Sequence, residues 1–392
     1  MAGERCGISV NLQRVANVMV KEAQVDDVWS VAFAPDRNDA YGSLLTGGSD
    51  KTARVWRTKN NGICFKTFPR TLSAESESEA EDGHTAAICG VSCSADGSCF
   101  VSTGFDNTVK LWDMKGTLRY SKSVGAPNLS AAFAPDGKRF VTGGYDQCAT
   151  IWDVESGDVV KKLQSKDEGD LRVFCVDYDP NGRFVATSHG DKKVRVWNNV
   201  DNDKEAECVH ILEDGHEGFV SCVSYSPDGL SLVTGCWGRK HSIGRIWDVA
   251  TGTRRPVTLE GHTWNLKCAS WSSDSRFIIT GSEDKTARVW KARTGECISV
   301  LLGHTDKVFS VKLAPTTQFG VFQAITGGFE GDVRCWDIMS GACERIIALS
   351  GPASAFSFGK RGEQELRYVK THLLHHCRLR MIILPRQARD KT

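Results

Sequence analysis

Long apolar runs, a strong net charge and paired cysteines are all missing from this sequence. No stretch of 18 apolar residues is present and the N-terminus lacks a signal-peptide pattern, so we expect neither a membrane partner nor a secretory route. The formal net charge is only +1, which excludes a field that would steer the whole molecule to nucleic acid. The 15 cysteines form no CxxC pair, which predicts free thiols in the cytoplasm or nucleus.

Motifs for nucleotide, cofactor or metal chemistry are missing as well. There is no Walker or Rossmann glycine loop and no unpaired nucleophile beside a base, so we expect no enzymatic activity and no cofactor. A cluster of His372, His375, His376 and Cys377 completes no known zinc spacing, and we expect no metal there.

What the sequence does contain is a repeat. Seven tryptophans end short β-rich runs at intervals of 56, 40, 45, 50, 43 and 46 residues. They are Trp56, Trp112, Trp152, Trp197, Trp247, Trp290 and Trp336. Before each one lie an apolar segment, in several units a turn such as Pro135 to Gly137, and a second apolar segment that often ends in Thr-Gly. This pattern predicts four strands per unit.

Two further landmarks identify the repeat. Asp directly follows four of the seven tryptophans, and a Gly-His pair places His 28 to 32 residues before four of them. Over roughly residues 22–350 the sequence resembles the WD-repeat family. The resemblance implies an all-β, seven-bladed propeller with four antiparallel strands per blade. Eight blades are the alternative, because residues 351–358 look like the start of another unit.

Polar residues recur at fixed distances from the tryptophans. Ser or Thr stands ten residues before the Trp, and Asp or Glu six residues before it, in six of the seven units. In the family these residues form a buried hydrogen-bonded tetrad with the His. By resemblance, the two full tetrads are His84, Ser102, Asp106, Trp112 and His262, Thr280, Asp284, Trp290. A Ser-His-Asp hydrolase is the alternative interpretation, and recurrence in unit after unit argues against it, because catalysis needs one solvent-facing nucleophile.

Several units depart from this pattern. Units one, three and four lack the Gly-His pair, so we expect their blades to be individually less stable. Unit five has no Asp, and its turn from Gly235 to Gly244 is three residues longer. That turn contains Trp237, Arg239, Lys240 and His241, and is either an exposed binding loop or a loop held by local packing.

The resemblance also implies where a partner would bind. In the family, the loops that hold the His and the Asp open on one end of the ring, called the top face. Transferring the family's binding positions gives Trp29, Phe105, Tyr145, Arg172, Phe174, Phe219, Lys307, Phe309 and Phe329. Aromatic and Arg side chains are favoured anchors of interfaces, which supports a binding role. Packing between blades is the alternative.

The remaining segments divide the chain into three parts. Residues 1–21 are an N-terminal segment that could supply a ring-closing strand, and residues 22–350 are the propeller. Within it, residues 70–83 form an acidic loop, predicted to be disordered, where Ser76 and Ser78 fit an acidophilic kinase pattern; a solvated spacer is the other interpretation. Residues 351–392 are a degenerate repeat and a basic tail, with nine Lys or Arg against three acids from residue 360 onward.

The sequence therefore predicts a non-enzymatic scaffold, a monomeric propeller that binds other proteins or peptides within a multiprotein complex. The alternative is a nucleic-acid-associated subunit that uses the basic tail. Residues Val25 to Phe33 also resemble the first blade of the superkiller-complex WD-repeat subunit, which would imply RNA decay or a transcription-linked complex.

Overall fold

The computed structural model describes residues 27–36, 39–57, 63–68, 82–199, 207–213, 215–238, 242–314 and 323–348. Its regular elements are 28 β-strands in seven four-stranded sheets. The strands are β1 (Val28–Asp36), β2 (Asp39–Gly48), β3 (Ala53–Arg57), β4 (Ile63–Phe68), β5 (Ile88–Cys93), β6 (Cys99–Gly104), β7 (Thr108–Asp113), β8 (Leu118–Ser123), β9 (Asn128–Phe133), β10 (Arg139–Gly144), β11 (Cys148–Asp153), β12 (Val159–Gln164), β13 (Val173–Tyr178), β14 (Phe184–His189), β15 (Val194–Asn198), β16 (Glu207–Leu212), β17 (Val220–Tyr225), β18 (Ser231–Cys236), β19 (Ser242–Asp248), β20 (Arg254–His262), β21 (Leu266–Trp271), β22 (Phe277–Ser282), β23 (Thr286–Lys291), β24 (Cys297–Leu302), β25 (Val308–Leu313), β26 (Gln323–Gly328), β27 (Asp332–Asp337) and β28 (Cys343–Ala348).

Each sheet is one blade made of four consecutive antiparallel strands, such as β5-β6-β7-β8. The first strands of neighbouring blades contact one another all the way round, and β25 contacts β1, so the sheets form a closed ring. The predicted seven-bladed propeller with four strands per blade is confirmed. The repeated tryptophans all lie on the third strand of their blades.

Turn chemistry sets the strand boundaries. Between the first and second strands, Gly137 has a φ of 68°, a left-handed conformation that favours glycine. Between the second and third strands, the side chain of Asp106 accepts the N–H of Thr108 at 3.0 Å, while Asn107 between them has a φ of 61°. After the Trp, Asp113 accepts the N–H of Gly116 at 2.8 Å and so closes the turn to the fourth strand.

The hydrophobic core lies between the blades. One cluster joins Val141 and Ile151 of blade 3 to Val173 and Trp197 of blade 4, and all four are buried. Since no sheet can cover both of its own faces, each blade is stabilised by its neighbours, at about 1.5–3 kcal/mol per fully buried large apolar side chain.

The glycine of the recurring Thr-Gly pair lies at these interfaces. A Cβ added to Gly143 on β10 would lie 2.4 Å from Cγ1 of Val173 and 2.7 Å from Cγ1 of Val176, both on the next blade. Gly47, Gly281 and Gly327 meet branched side chains of their next blades in the same way. Glycine at this position therefore sets how closely two blades approach.

The seam of the ring lies between blades 7 and 1. Val28 and Val31 on β1 pack in one buried cluster with Ile325 and Val333 of blade 7. The fourth strand of blade 7 is β28, which follows Trp336 in the same repeat. Residues 1–21, most of the acidic loop including Ser76 and Ser78, and residues 351–392 lie outside the described residues.

Candidate protein-interaction face

A hydrogen bond from the Trp indole to the Ser or Thr ten residues earlier recurs in every blade, with a longer spacing only in blade 5. In blade 1, for example, Nε1 of Trp56 donates to Oγ1 of Thr46 at 2.9 Å. The other pairs, at 2.8–2.9 Å, are Trp112 with Ser102, Trp152 with Thr142, Trp197 with Thr187, Trp247 with Thr234, Trp290 with Thr280, and Trp336 with Thr326. This bond holds the third strand of each blade to the second.

Blades 2 and 6 extend that bond into a four-residue network. In blade 2, His84 lies with Nε2 2.7 Å from Oγ of Ser102 and with Nδ1 2.8 Å from Oδ2 of Asp106. A carboxylate only accepts hydrogen bonds, so Nδ1 carries the proton and Nε2 accepts from the hydroxyl. His262, Thr280, Asp284 and Trp290 repeat this arrangement in blade 6, with both His distances 2.8 Å.

Burial alone would raise the pKa of the Asp106 carboxyl, but hydrogen bonds from His84 and Thr108 hold that pKa below its usual range. At Asp284 burial acts in the same direction, and hydrogen bonds from His262 and Thr286 hold its pKa below the usual range. Ser102 is fully buried and its hydroxyl is engaged by both the indole and the imidazole. These side chains are nearly or fully buried, and their hydrogen bonds hold the blade together.

Blade 4 contains a substitute that the sequence reasoning missed. His189 stands two residues after Thr187 on the same strand, with Nε2 2.7 Å from the Thr187 hydroxyl and Nδ1 3.0 Å from the carbonyl of Leu171. It supplies the imidazole that the missing Gly-His pair would have brought. The acid, Asp191, pairs instead with the fully buried Arg195 at 2.6 Å.

Blade 5 holds a network without an acid. Nε2 of His216 lies 2.8 Å from Oγ1 of Thr234, which accepts the indole N–H of Trp247. The Nδ1 atom of His216 is buried and has no partner in the described part of the chain. Blade 7 uses Glu330 in place of Asp, hydrogen-bonded to His304.

The two histidines of blades 4 and 5 predict acid sensitivity. Burial lowers the pKa of His216 to about 3 and that of His189 to about 4. Below pH 6.5 the unfolded chain therefore takes up protons that the folded chain does not. We expect the free energy of unfolding to fall by about 1.4 kcal/mol per pH unit for each histidine as the pH drops from about 6.5 towards 4. Urea denaturation at pH 7.5, 6 and 5 measures this loss.

The matched variant for the acid experiment is His216→Gln, which removes one of the two titrating groups. Its pH slope should be shallower than that of the unaltered protein by about one proton's contribution. Equal slopes in the two proteins would contradict the assignment of the acid sensitivity to His216.

The described residues offer no sign of a chemical centre. No group of three or more His, Cys, Asp or Glu within them is placed to hold a metal ion. The 12 cysteines whose side chains the structure describes are free thiols, and burial raises the pKa of Cys89 and Cys93 to about 12. A thiol with so high a pKa is a poor nucleophile.

Aromatic side chains gather where first strands begin and second strands end, which is the same end of every antiparallel sheet. At the seam, the Trp29 ring lies 4.9 Å from Phe309, 5.7 Å from Phe105 and 6.1 Å from Phe329, measured between ring centroids. Nε1 of Trp29 donates to Oγ of Ser49 at 2.8 Å. Four of the predicted top-face residues, from blades 1, 2 and 7, are thus in contact.

A second group lies on the other side of the face. The guanidinium of Arg172 lies 5.2 Å from the ring of Tyr145, 5.6 Å from that of Phe174 and 5.9 Å from that of Phe219. Asp170 accepts two hydrogen bonds from Arg172, at 2.7 and 2.5 Å. The planar Arg is thereby fixed over three rings from three blades.

Trp237 and Lys267 join the two groups. Trp237, in the long turn of blade 5, lies 6.1 Å from Phe219, and Nζ of Lys267 lies 3.9 Å from its ring and 4.8 Å from that of Phe309. We call this arc the aromatic belt: Phe105, Trp29, Phe329, Phe309, Lys267, Trp237, Phe219, Phe174, Arg172 and Tyr145. It takes at least one residue from each of the seven blades.

The remaining predicted residues are placed as follows. Lys307 lies beside the belt, with Nζ 3.4 Å from Oε1 of Glu283. Arg239, Lys240 and His241 lie outside the described residues. The belt side chains pack on neighbouring blades, yet most keep a solvent-facing edge, and Tyr145 and Trp237 are 36% and 37% exposed. Interblade packing and an exposed face therefore coexist.

Comparison with known families identifies the chain as a member of the WD40 family (WD domain, G-beta repeat). Seven segments match the family, and they are residues 18–57, 77–113, 122–153, 157–198, 206–248, 254–291 and 295–337. Each match ends at the third strand of a blade, so the later repeats begin in or near the fourth strand of the preceding blade. Proteins of this family generally bind other proteins and are not enzymes.

Individual relatives match at modest identity. The nuclear distribution protein PAC1 of Arthroderma otae is 26% identical over 83% of this chain and 62% of its own length. A DENN domain and WD repeat-containing protein, SCD1 of Arabidopsis thaliana, is 31% identical over 65% of this chain and 20% of its own length. The guanine nucleotide-binding protein subunit beta of Zea mays is 31% identical over 43% of this chain and 45% of its own length.

This chain thus spans less than two thirds of the length of each of these relatives. Among the described residues there is no helix that is both long enough and apolar enough to cross a membrane.

Proposed function

We propose that this propeller is a non-enzymatic subunit of a multiprotein complex and that it binds a partner protein through the aromatic belt. The observation that carries the proposal is that the polar signature side chains are buried whereas the belt side chains are partly exposed. The polar signature residues are buried in networks within blades, whereas the belt exposes aromatic rings, such as those of Tyr145 and Trp237, and the Arg172 guanidinium at one end of the ring. Aromatic and Arg side chains bury much area at low entropic cost, which suits an interface anchor.

The comparisons support the coarser part of this proposal. One relative is by its name a subunit of a guanine nucleotide-binding protein, and another is a nuclear distribution protein. Free thiols in the described residues agree with a place in the cytoplasm or nucleus. The nucleic-acid alternative and the superkiller-like first blade stay predictions.

The proposal is tested by affinity purification with mass spectrometry of the unaltered protein beside Trp29→Ala/Phe309→Ala. Losing two anchors of about 2 kcal/mol each should reduce partner recovery by more than tenfold. Because Trp29 also packs on three rings and bonds Ser49, this variant should melt a few degrees lower. Recovery is therefore compared at a temperature where every variant is folded.

Two further variants sharpen the experiment. Tyr145→Ala/Trp237→Ala truncates the two most exposed aromatic side chains of the belt and should also lose the partner. Leu302→Ala is the matched control, because Leu302 is a 68% exposed apolar residue on the outermost strand of blade 6. Partners that survive both belt variants would rule out the belt as the interface. Partners lost on nuclease treatment alone would favour the nucleic-acid alternative.

A further inference from the structure

The ammonium group of Lys267 is surrounded by side chains from three blades. It lies between the rings of Trp237 from blade 5 and Phe309 from blade 7, 3.9 and 4.8 Å from their centroids. Oε1 of Glu283, on its own blade, lies 3.1 Å away. Two aromatic faces and one carboxylate around an ammonium are the elements of a cation-binding cage.

This cage is a preorganised interior site. The side chains of Lys267 and Glu283 are only 10% and 8% exposed. The Glu283 carboxylate is fixed by Asn265 at 2.9 Å and by Lys307 at 3.4 Å. Because these contacts do not involve Lys267, the carboxylate keeps its position when the Lys267 ammonium leaves.

Burial opposes the charged form of the bound ammonium. Burial lowers the pKa of Lys267, and the charge of Glu283 offsets this only in part. Desolvation thus cancels much of the attraction in a buried ion pair. The four-carbon stem of lysine can instead extend and carry its charge to water at the open face.

We propose that this cage, formed by Trp237, Phe309 and Glu283, is a binding site for a lysine side chain of a partner protein, and that Lys267 closes it in the free protein. The inference rests on the proposed function, since the cage lies in the aromatic belt. Its own occupant shows which chemistry fits, an alkylammonium opposite a carboxylate. A partner lysine inserts as Lys267 swings out, so that the charge balance at Glu283 is unchanged.

The test is to vacate the cage. In the full-length Lys267→Ala protein, n-butylammonium should bind and shift the indole N–H resonance of Trp237, assigned with Trp237→Phe. In the unaltered protein the tethered Lys267 competes at a high effective concentration, so binding should be weaker by about tenfold or more. Lys267→Ser provides a second vacated cage should the alanine variant fold poorly.

Three controls isolate the cation. n-Pentanol, a neutral probe of similar length, should not bind the vacated cage. Lys291→Ala changes an exposed lysine of the same blade that lies outside the belt, leaves Lys267 in place and should behave like the unaltered protein. Lys267→Ala/Glu283→Gln should lose n-butylammonium binding. Equal binding of the amine and the alcohol, or no binding to either vacated variant, overturns the proposal. Because the probe needs no partner, failure of the belt as an interface is recognised separately, in the purification experiment.

Discussion

Replacing Asp284 with alanine is expected to lower the free energy of unfolding by about 3–5 kcal/mol, because each hydrogen-bond donor left without its acceptor in a buried site costs about 1–3 kcal/mol. The side chain is 6% exposed and accepts hydrogen bonds from His262 at 2.8 Å, from the N–H of Thr263 at 3.1 Å and from the hydroxyl of Thr286 at 2.6 Å. Alanine would leave these donors without their acceptor in a site that water hardly reaches. Equilibrium urea denaturation at pH 7.5 measures the loss.

Asp146→Ala is the matched control for this prediction. Asp146 occupies the same turn in blade 3, where no His joins the network; its Oδ2 accepts only a thiol hydrogen bond from Cys148, at 3.2 Å, and its Oδ1 has no partner in the described part of the chain. The control should lose no more than about 1 kcal/mol. Equal losses in the two variants would show that the turn, and not the His-centred network, is what Asp284 stabilises.

Gly143→Val is expected to destabilise the ring by about 3 kcal/mol through overpacking of the interface between blades 3 and 4. Its Cβ would lie 2.4 Å from Cγ1 of Val173, so one of the two strands must move. Gly143 lies in β10 beside a register shift and does not have a positive φ, so a side chain there is not strained by the backbone and the clash is the main cause. Thermal and urea denaturation both report the change.

A double-mutant cycle separates overpacking from other effects. Val173→Ala alone should cost stability, because Val173 is fully buried. In the Gly143→Val background the same change removes the clashing methyl groups and should restore part of the loss. If the two losses simply add, the glycine is required for some reason other than the approach of the neighbouring blade.

Much of the fold could be predicted because it follows from the spacing of residues that are close together in the sequence. The tryptophan, the Ser or Thr ten residues earlier and the Asp six residues earlier lie on one hairpin, where strand geometry fixes their separation. In blade 5 the three extra residues lengthen only the turn. The two strands stay paired, and the indole of Trp247 still donates to Thr234. Blade count and strand order follow from such repeats.

Other contacts could not be predicted, since they join residues that are distant in sequence. Trp29 and Phe309 meet only because the ring closes, and Lys267 reaches Trp237 only because two blades lie side by side. His189 was missed for a related reason. Its position after Thr187 is visible, but only the folded strand end shows that its ring turns back onto the hydroxyl.

The ring is closed by side-chain packing at the seam between blades 7 and 1. Each of these two blades is a complete sheet, and within the described residues they are held together by packing around Val28 and by the N–H of Val31 donating to Oγ of Ser310 at 3.0 Å. No strand ladder crosses the seam in the described residues, so side-chain packing and this hydrogen bond hold the ring closed there. Trp29 and Phe309 contact each other across the seam, so a partner that binds both side chains would stabilise the closed ring.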